Sequence, residues 1–295
     1  MTQSPNSSKW AVLSLFAIAL IWGYNWVQMK IAVQYASPFA FAALRNLLGG
    51  LSLLLLMVWL RKPLEPKAVP GTFLLGTFQM AGMYGFATLA LVSGGAGKTA
   101  VLVYTMPFWS LLFAWIALGE RVRKFQWLAV LLAIAGFLLI LEPQNLGGTL
   151  VSKVFAVLSG VSWAMGSIVA KKLQQSVKLD LLSLTAWQTL FGAVPLTLIA
   201  LTIPIQPIQW TPQFCIALFY AVIPSTAIAQ FLWFYALHTL TAGAAGLGTL
   251  LNPVFGVLFA AAQLGERPGT MELLGMAAIV LALVINSSQM VGKRG

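Results

Sequence analysis

PFWSLLFAWIALGER at 107–121 and PVFGVLFAAAQLGER at 253–267 are one pattern written twice. Each opens on a proline, runs through an almost unbroken apolar stretch and ends on Leu-Gly-Glu-Arg. The two copies lie 146 positions apart, and Ala90-Leu91 and Ala236-Leu237 share that offset. Nearer the start, Trp22 and Lys30 pair with Trp163 and Lys171 at an offset of 141, and Gly49 pairs with Gly192 at 143. An offset that grows in small steps is what loop insertions produce in a duplicated unit. The chain therefore divides into a first repeat, 1–149, and a second, 150–295.

The apolar character of the quoted stretch extends to the whole chain. Of 295 residues, 60% are hydrophobic and 8% charged, and the mean hydropathy is +0.90. Soluble proteins are about 25% charged, so a soluble domain is excluded, as is a disordered chain. A helix crosses the hydrocarbon in about 20 apolar residues. Ten such runs are present, at roughly 10–29, 38–60, 70–92, 99–118, 124–141, 151–170, 180–203, 213–237, 241–264 and 271–290. None alternates like a strand of an outer-membrane barrel. The first run is too long for a signal-peptide core and is followed by bulky Tyr24, Trp26 and Met29, so it reads as a retained helix. The expectation is an all-α integral membrane protein with short connectors and no soluble domain.

Seventeen basic and six acidic residues give a net charge of +11. With the N-terminus cytoplasmic, twelve bases fall in inside segments, four outside, and Arg45 within a span. That asymmetry follows the positive-inside rule. It predicts a multi-pass protein of the cell (inner or plasma) membrane with both termini cytoplasmic, and it removes nucleic acid as the explanation of the charge. Five helices per repeat is an odd number, so the second copy enters the membrane inverted. Inverted repeats characterise secondary transporters, whose substrate site lies near the midplane between the halves. One cysteine, Cys215, excludes an internal disulfide framework.

Several motifs resemble those of the drug/metabolite transporter superfamily. IWGYNW at 21–26 is similar to its Trp-Gly-x-Asn opening, and SPFAFAALR at 37–45 to its second-helix pattern of Pro with Arg seven residues on. SWAMGSIVAKKL at 162–173 resembles the start of its second half, and both LGER corners match its helix turns. The nearest group is the ten-helix EamA type, which includes amino-acid and metabolite exporters. The resemblance implies two inverted five-helix repeats around a central cavity, lined mainly by the first, third and fourth helices and their counterparts, the sixth, eighth and ninth. Gln188 stands where the repeat would place a second Arg45, so the site is not charge-symmetric.

Candidate substrate-binding residues are the polar and aromatic groups at mid-span. Arg45 is the one charge deep in a span. Such groups are costly in hydrocarbon and face the bundle interior, so it reads either as a carboxylate or phosphate anchor or as a structural arginine held by helix-end carbonyls. Trp22 and Trp163 lie near mid-depth rather than in an interfacial belt, which favours cavity lining. Asn25 is a turn from Trp22. Tyr84 aligns with Gln230, and both need polar partners. Tyr104 and Asn252 precede Pro107 and Pro253, where the missing amide frees a carbonyl; hinge and packing kink are equally consistent with these prolines. Glu120 and Glu266 of the LGER corners read as turn chemistry or as locks on one face. Ala244, Gly248, Asn252, Gly256 and Ala260 form a small-residue stripe that suits close helix packing.

GGAGKT at 94–99 is not a phosphate loop, because Val92 occupies the position of its first glycine. The six acids, Glu65, Glu120, Glu142, Asp180, Glu266 and Glu272, lie in loops or at span ends, and His238 is at a span end. No proton relay is visible. The expectation is a secondary transporter of small organic solutes, amino acids or related metabolites in the export direction, working by alternating access without coupling and without a cofactor or metal. Its partners are the solute and the lipid bilayer. A proton-coupled drug/metabolite antiporter is the alternative. An intramembrane enzyme lacks its His or Cys constellation, and an inert membrane scaffold does not account for paired mid-span Trp and Pro.

Overall fold

The computed structural model describes residues 5–119, 124–141, 149–177, 179–203, 207–233 and 251–291, and every regular element among them is a helix. Among the described residues, six stretches, Pro38–Trp59, Val69–Ser93, Ala96–Ala117, Leu150–Ser176, Leu181–Thr202 and Pro212–Trp233, are long and apolar enough to cross a membrane. Shorter apolar helices cover Trp127–Gly136, Leu251–Leu264 and Leu273–Ala282.

The elements follow their local signals. α1 (Pro5–Ala32) starts on a proline, whose missing amide costs nothing at a helix start. α2 (Pro38–Trp59) is capped by Ser37, whose Oγ accepts from the Ala40 amide at 3.3 Å. The third span is α3 (Val69–Gly76), a π-helical turn (Thr77–Gly82) and α4 (Met83–Ser93). The fourth breaks into α5 (Ala96–Val103) and α6 (Met106–Leu118) around Tyr104 and Thr105, with Pro107 at the second position of α6. α7 (Lys124–Leu141) completes the first repeat. α8 (Thr149–Ser176) runs six residues past the apolar stretch, because Lys171, Lys172 and Gln174 are good helix formers that hydropathy does not detect. α9 (Leu181–Thr202) is capped by Asp180, whose Oδ1 accepts from the Ser183 amide at 3.0 Å. α10 (Pro212–Val222) leads into a second π turn (Ile223–Ile228). α11 (Leu251–Leu264) and α12 (Thr270–Val291) close the chain.

The two π turns are separated by the same 146 positions as the quoted motifs. So are Gly119 and Gly265, which end α6 and α11 with a φ of 66°. That left-handed conformation suits glycine, and it explains why both LGER corners carry one. Packing partners obey the repeat as well: α7 lies on α12, α2 on α9, α1 on α11 and α8 on α4 through α6. The first two pairs join equivalent helices. The last two exchange roles between the halves, as a two-fold relation requires.

Close approach occurs at small residues. A Cβ on Gly23 would lie 3.2 Å from the Asn252 carbonyl and 3.1 Å from the Gly256 amide, so α1 and α11 touch backbone to backbone. Gly256 and Ala260 of the small-residue stripe face this seam and α5, while Ala244 and Gly248 lie outside the described residues. Large apolar side chains cover the outside, Leu55, Trp59, Ile116 and Leu201 among them. A bundle apolar on both its inside and its outside belongs in lipid.

Candidate functional site

Arg45 is 2% exposed and projects from α2 into the middle of the bundle. Its Nη1 donates to Met29 Sδ at 3.0 Å, and its Nη2 donates to Tyr84 Oη at 3.0 Å and Ser225 Oγ at 3.3 Å. The guanidinium also stacks 3.8 Å from the centre of the Tyr84 ring, a cation–π contact that gains strength out of water. Every one of these partners is neutral. A salt bridge, Lys62–Asp180, lies away from this cluster at an end of the bundle.

The second π turn supplies Ser225 twice over. Its hydroxyl reaches Arg45, and its carbonyl accepts from Trp22 Nε1 at 3.0 Å. A π turn shifts the hydrogen-bond register within a helix and is frequent at functional sites. The first π turn has a matching contact: Ser162 Oγ of α8 donates to the Phe78 carbonyl at 2.8 Å, and Gly166 packs against Gln79. Each half's first helix is thus hydrogen-bonded to the π turn of the other half.

Asn25 Nδ2 donates to Met29 Sδ at 3.2 Å, so one thioether accepts from both Asn25 and Arg45. Asn25 Oδ1 is buried without a hydrogen-bond partner, and the buried Asn252 amide has the Tyr104 hydroxyl as its polar neighbour, without a hydrogen bond of full geometry. Asn252 is 1% exposed, on the face of α11 that meets α1 at Gly23. Tyr104 is buried at the break between α5 and α6, its ring 6.4 Å from that of Trp26. Buried amide groups without partners carry a desolvation cost of roughly 1–3 kcal/mol each. Their concentration along one seam marks a place that a polar solute could complete.

The sequence candidates thus separate. Arg45, Tyr84, Asn25 and Trp22 are joined by shared partners, and Asn252 and Tyr104 lie along the same α1 seam. Trp163 is half-buried on α8, its carbonyl accepting from Ser167 Oγ at 3.1 Å. Gln230 is half-buried beyond the second π turn. Gln188 is buried, its carbonyl against Gly76, and it is not among the partners of Arg45. Pro107 stands at the α5–α6 break and Pro253 is buried in α11. Glu120 lies outside the described residues. Met29 and Ser225 were missed by the sequence reading. A methionine in an apolar helix carries no signal, whereas Pro224 in mid-span marked the π turn that presents Ser225.

Glu266 does more than local turn chemistry. Its carboxylate accepts from the backbone amides of Ala96, at 2.5 Å, and Gly97, at 3.1 Å. It therefore caps the N-terminus of α5 across the bundle, where the helix dipole favours an anion. Burial is not confined to Arg45 among the bases: Lys153, at the start of α8, is 3% exposed. At the other end, burial disfavours the Asp180 anion, but the bond from Lys62 and the amides of Ser183 and Leu182 outweigh it. The carboxyl is held below the ordinary range.

The sequence profile described as the EamA-like transporter family matches residues 9–142 and again 151–288, once per repeat. The Bacillus subtilis transporter YoaV is 26% identical over 282 residues, covering 94% of this chain and 96% of that protein. A Salmonella typhimurium protein named "Probable amino-acid metabolite efflux pump" is 28% identical over 295 residues, covering 95% of each. A solved crystal structure superposes with a TM-score of 0.66 at 19% identity, over 97% of this chain and 99% of that one, which shows the shared fold.

Proposed function

The chain belongs to the EamA-like transporter family, and from that premise we propose that it carries amino acids or related small metabolites across the cell membrane by alternating access. The observation that carries this reading is the polar cluster of Asn25, Arg45, Tyr84 and Ser225, contributed by both halves in an otherwise apolar bundle. A site between repeats is one that a rocking of one half on the other exposes to each side in turn. The Salmonella relative's name, which specifies amino-acid metabolite efflux, supports the solute class and the export direction.

The reading includes an uncoupled mechanism, because all six acids of the sequence lie away from the middle of the spans. It places both termini in the cytoplasm, following the distribution of bases, and treats 1–149 and 150–295 as the two moving units. The test is counterflow in proteoliposomes, with the amino acids and their 2-oxo and 2-hydroxy acids offered singly, with and without a pH gradient. Saturable exchange of one or more is expected, at a rate the gradient leaves unchanged. Exchange of none would overturn the reading, and acceleration by the gradient would replace it with the proton-coupled antiporter.

A further inference from the structure

Donors outnumber acceptors around Arg45, and the imbalance has a direction. The guanidinium offers five N–H groups, Asn25 two more, and the hydroxyls of Tyr84 and Ser225 one each. Both hydroxyl oxygens accept from Arg45, leaving their own protons free to donate. Against these stands the Met29 sulfur, a weak acceptor, which receives from Arg45 and Asn25 together. A buried positive charge surrounded by donors, with a thioether as a weak acceptor, presents the donor set that an anion satisfies.

We propose that this cluster binds the carboxylate of the transported solute. The inference rests on the transport reading above and names the chemistry the site selects. The carboxylate takes the place of the Met29 sulfur, accepting from Arg45, from Asn25 Nδ2 and from the Tyr84 and Ser225 hydroxyls. Methionine is unbranched and adaptable, so it withdraws at little cost. One guanidinium matches one negative charge, which favours a monocarboxylate over a phosphate dianion. Asn25 Oδ1, which has no partner, and the Asn252 amide beside Tyr104 lie along the same helix seam and can meet the solute's second polar group, an amino or hydroxyl substituent. Because Ser225 sits in the second π turn and hydrogen-bonds Trp22 through its carbonyl, the anion would contact both halves at once. By the same offsets, Gln188, Gln230 and Ala170 of the second repeat stand where the first has Arg45, Tyr84 and Met29, and Gln79 of the first repeat stands where the second has Ser225. That set has no cation, so the bundle offers a buried positive partner to one carboxylate of the solute and not to two.

The experiment compares matched solutes on the whole protein in proteoliposomes. Each amino acid that exchanges is competed with its 2-hydroxy acid, which keeps the carboxylate, and with its amino alcohol, which keeps only the amine. The 2-hydroxy acid should compete within about tenfold of the parent and the amino alcohol more than tenfold worse. Arg45→Gln installs the residue that the second repeat carries at the same place in α9. It should lower exchange at least tenfold while eluting as a folded protein in detergent, and Arg45→Lys should raise the half-saturation concentration with a smaller loss of maximal rate. Equal competition by the amino alcohol would overturn the carboxylate site while leaving transport intact. Unchanged exchange by Arg45→Gln would do the same. Absence of exchange by the wild type overturns both. Should Arg45→Gln fail to fold, the competition series on the wild type decides alone.

Discussion

Replacing Gly192 by alanine tests the helix seam on which the first π turn is seated. A Cβ there would lie 2.6 Å from the Gly76 carbonyl oxygen and 3.3 Å from the Ala81 amide, and closer still to Met80 Cβ. Carbon atoms in contact prefer about 3.5–4.0 Å. The obstructing atoms are backbone and Cβ, which no rotamer change moves, so α9 must withdraw from the third span by about 1 Å. Overpacking of this kind costs about 1–3 kcal/mol. Alanine recovers up to about 1 kcal/mol of helix propensity, leaving a net loss of about 1–2 kcal/mol. Gly71→Ala supplies the contrast. Its Cβ would meet only the side chain of Leu173, whose methyl end can turn aside, so the propensity term wins and stability holds or rises slightly. Thermal midpoints of the purified variants, read by size exclusion after heating, should put Gly192→Ala clearly below wild type and Gly71→Ala at or above it. If Gly192→Ala matched wild type, or both variants fell equally, the seam would not be held by backbone contact.

Other consequences are as direct. Glu266→Gln keeps an acceptor but removes the charge that caps α5, and should cost about 1–2 kcal/mol in the same assay; no loss would return Glu266 to surface chemistry. The Lys62–Asp180 bridge is more than a third exposed on both sides, so its worth is small. Asp180→Asn, which keeps the cap, should therefore be near neutral, whereas Asp180→Ala should lose about 1 kcal/mol. Because the Asp180 carboxyl is depressed, its stabilisation is intact above the ordinary carboxylate range and fades only as the pH falls through its lowered value. A loss beginning near neutrality would contradict the assigned partners. Trp22→Phe deletes the indole donor to Ser225 and Trp22→Ala the ring as well, so exchange should fall in that order; Trp163→Ala should also reduce it, and unchanged flux would assign either tryptophan to packing. In a Cys215→Ser background, Glu65→Cys should react with impermeant maleimide only after the membrane is opened, and Arg267→Cys in intact cells. The reverse pattern would invert the topology.

Much of this was legible because hydropathy and punctuation are local. The boundaries of α2 and α9 follow from Ser37-Pro38 and Asp180, each of which satisfies the first amides of its helix from within the sequence. The inequality of the halves was also visible in advance, since Arg45 and Gln188 are aligned by the repeat. Tyr84 could be named as a mid-span polar group in need of a partner, but which partner could not. The reach of the second LGER corner could not be read for the same reason. Gly119 and Gly265 serve their own turns, while Glu266 serves a helix start 170 residues away.

The sequence by itself determined that the chain lies in a membrane, that it is a duplicated set of apolar helices, and which few polar side chains require an explanation. Those properties depend on transfer free energies and periodicities that each residue carries with it. Only the tertiary structure decided that Arg45 faces a thioether and two hydroxyls, that π turns occur at equivalent places, and that Asn25 Oδ1 is left without a partner. A hydrogen bond between helices depends on where two distant backbones are held, and that is set by the packing of glycines and methyl groups across the seams.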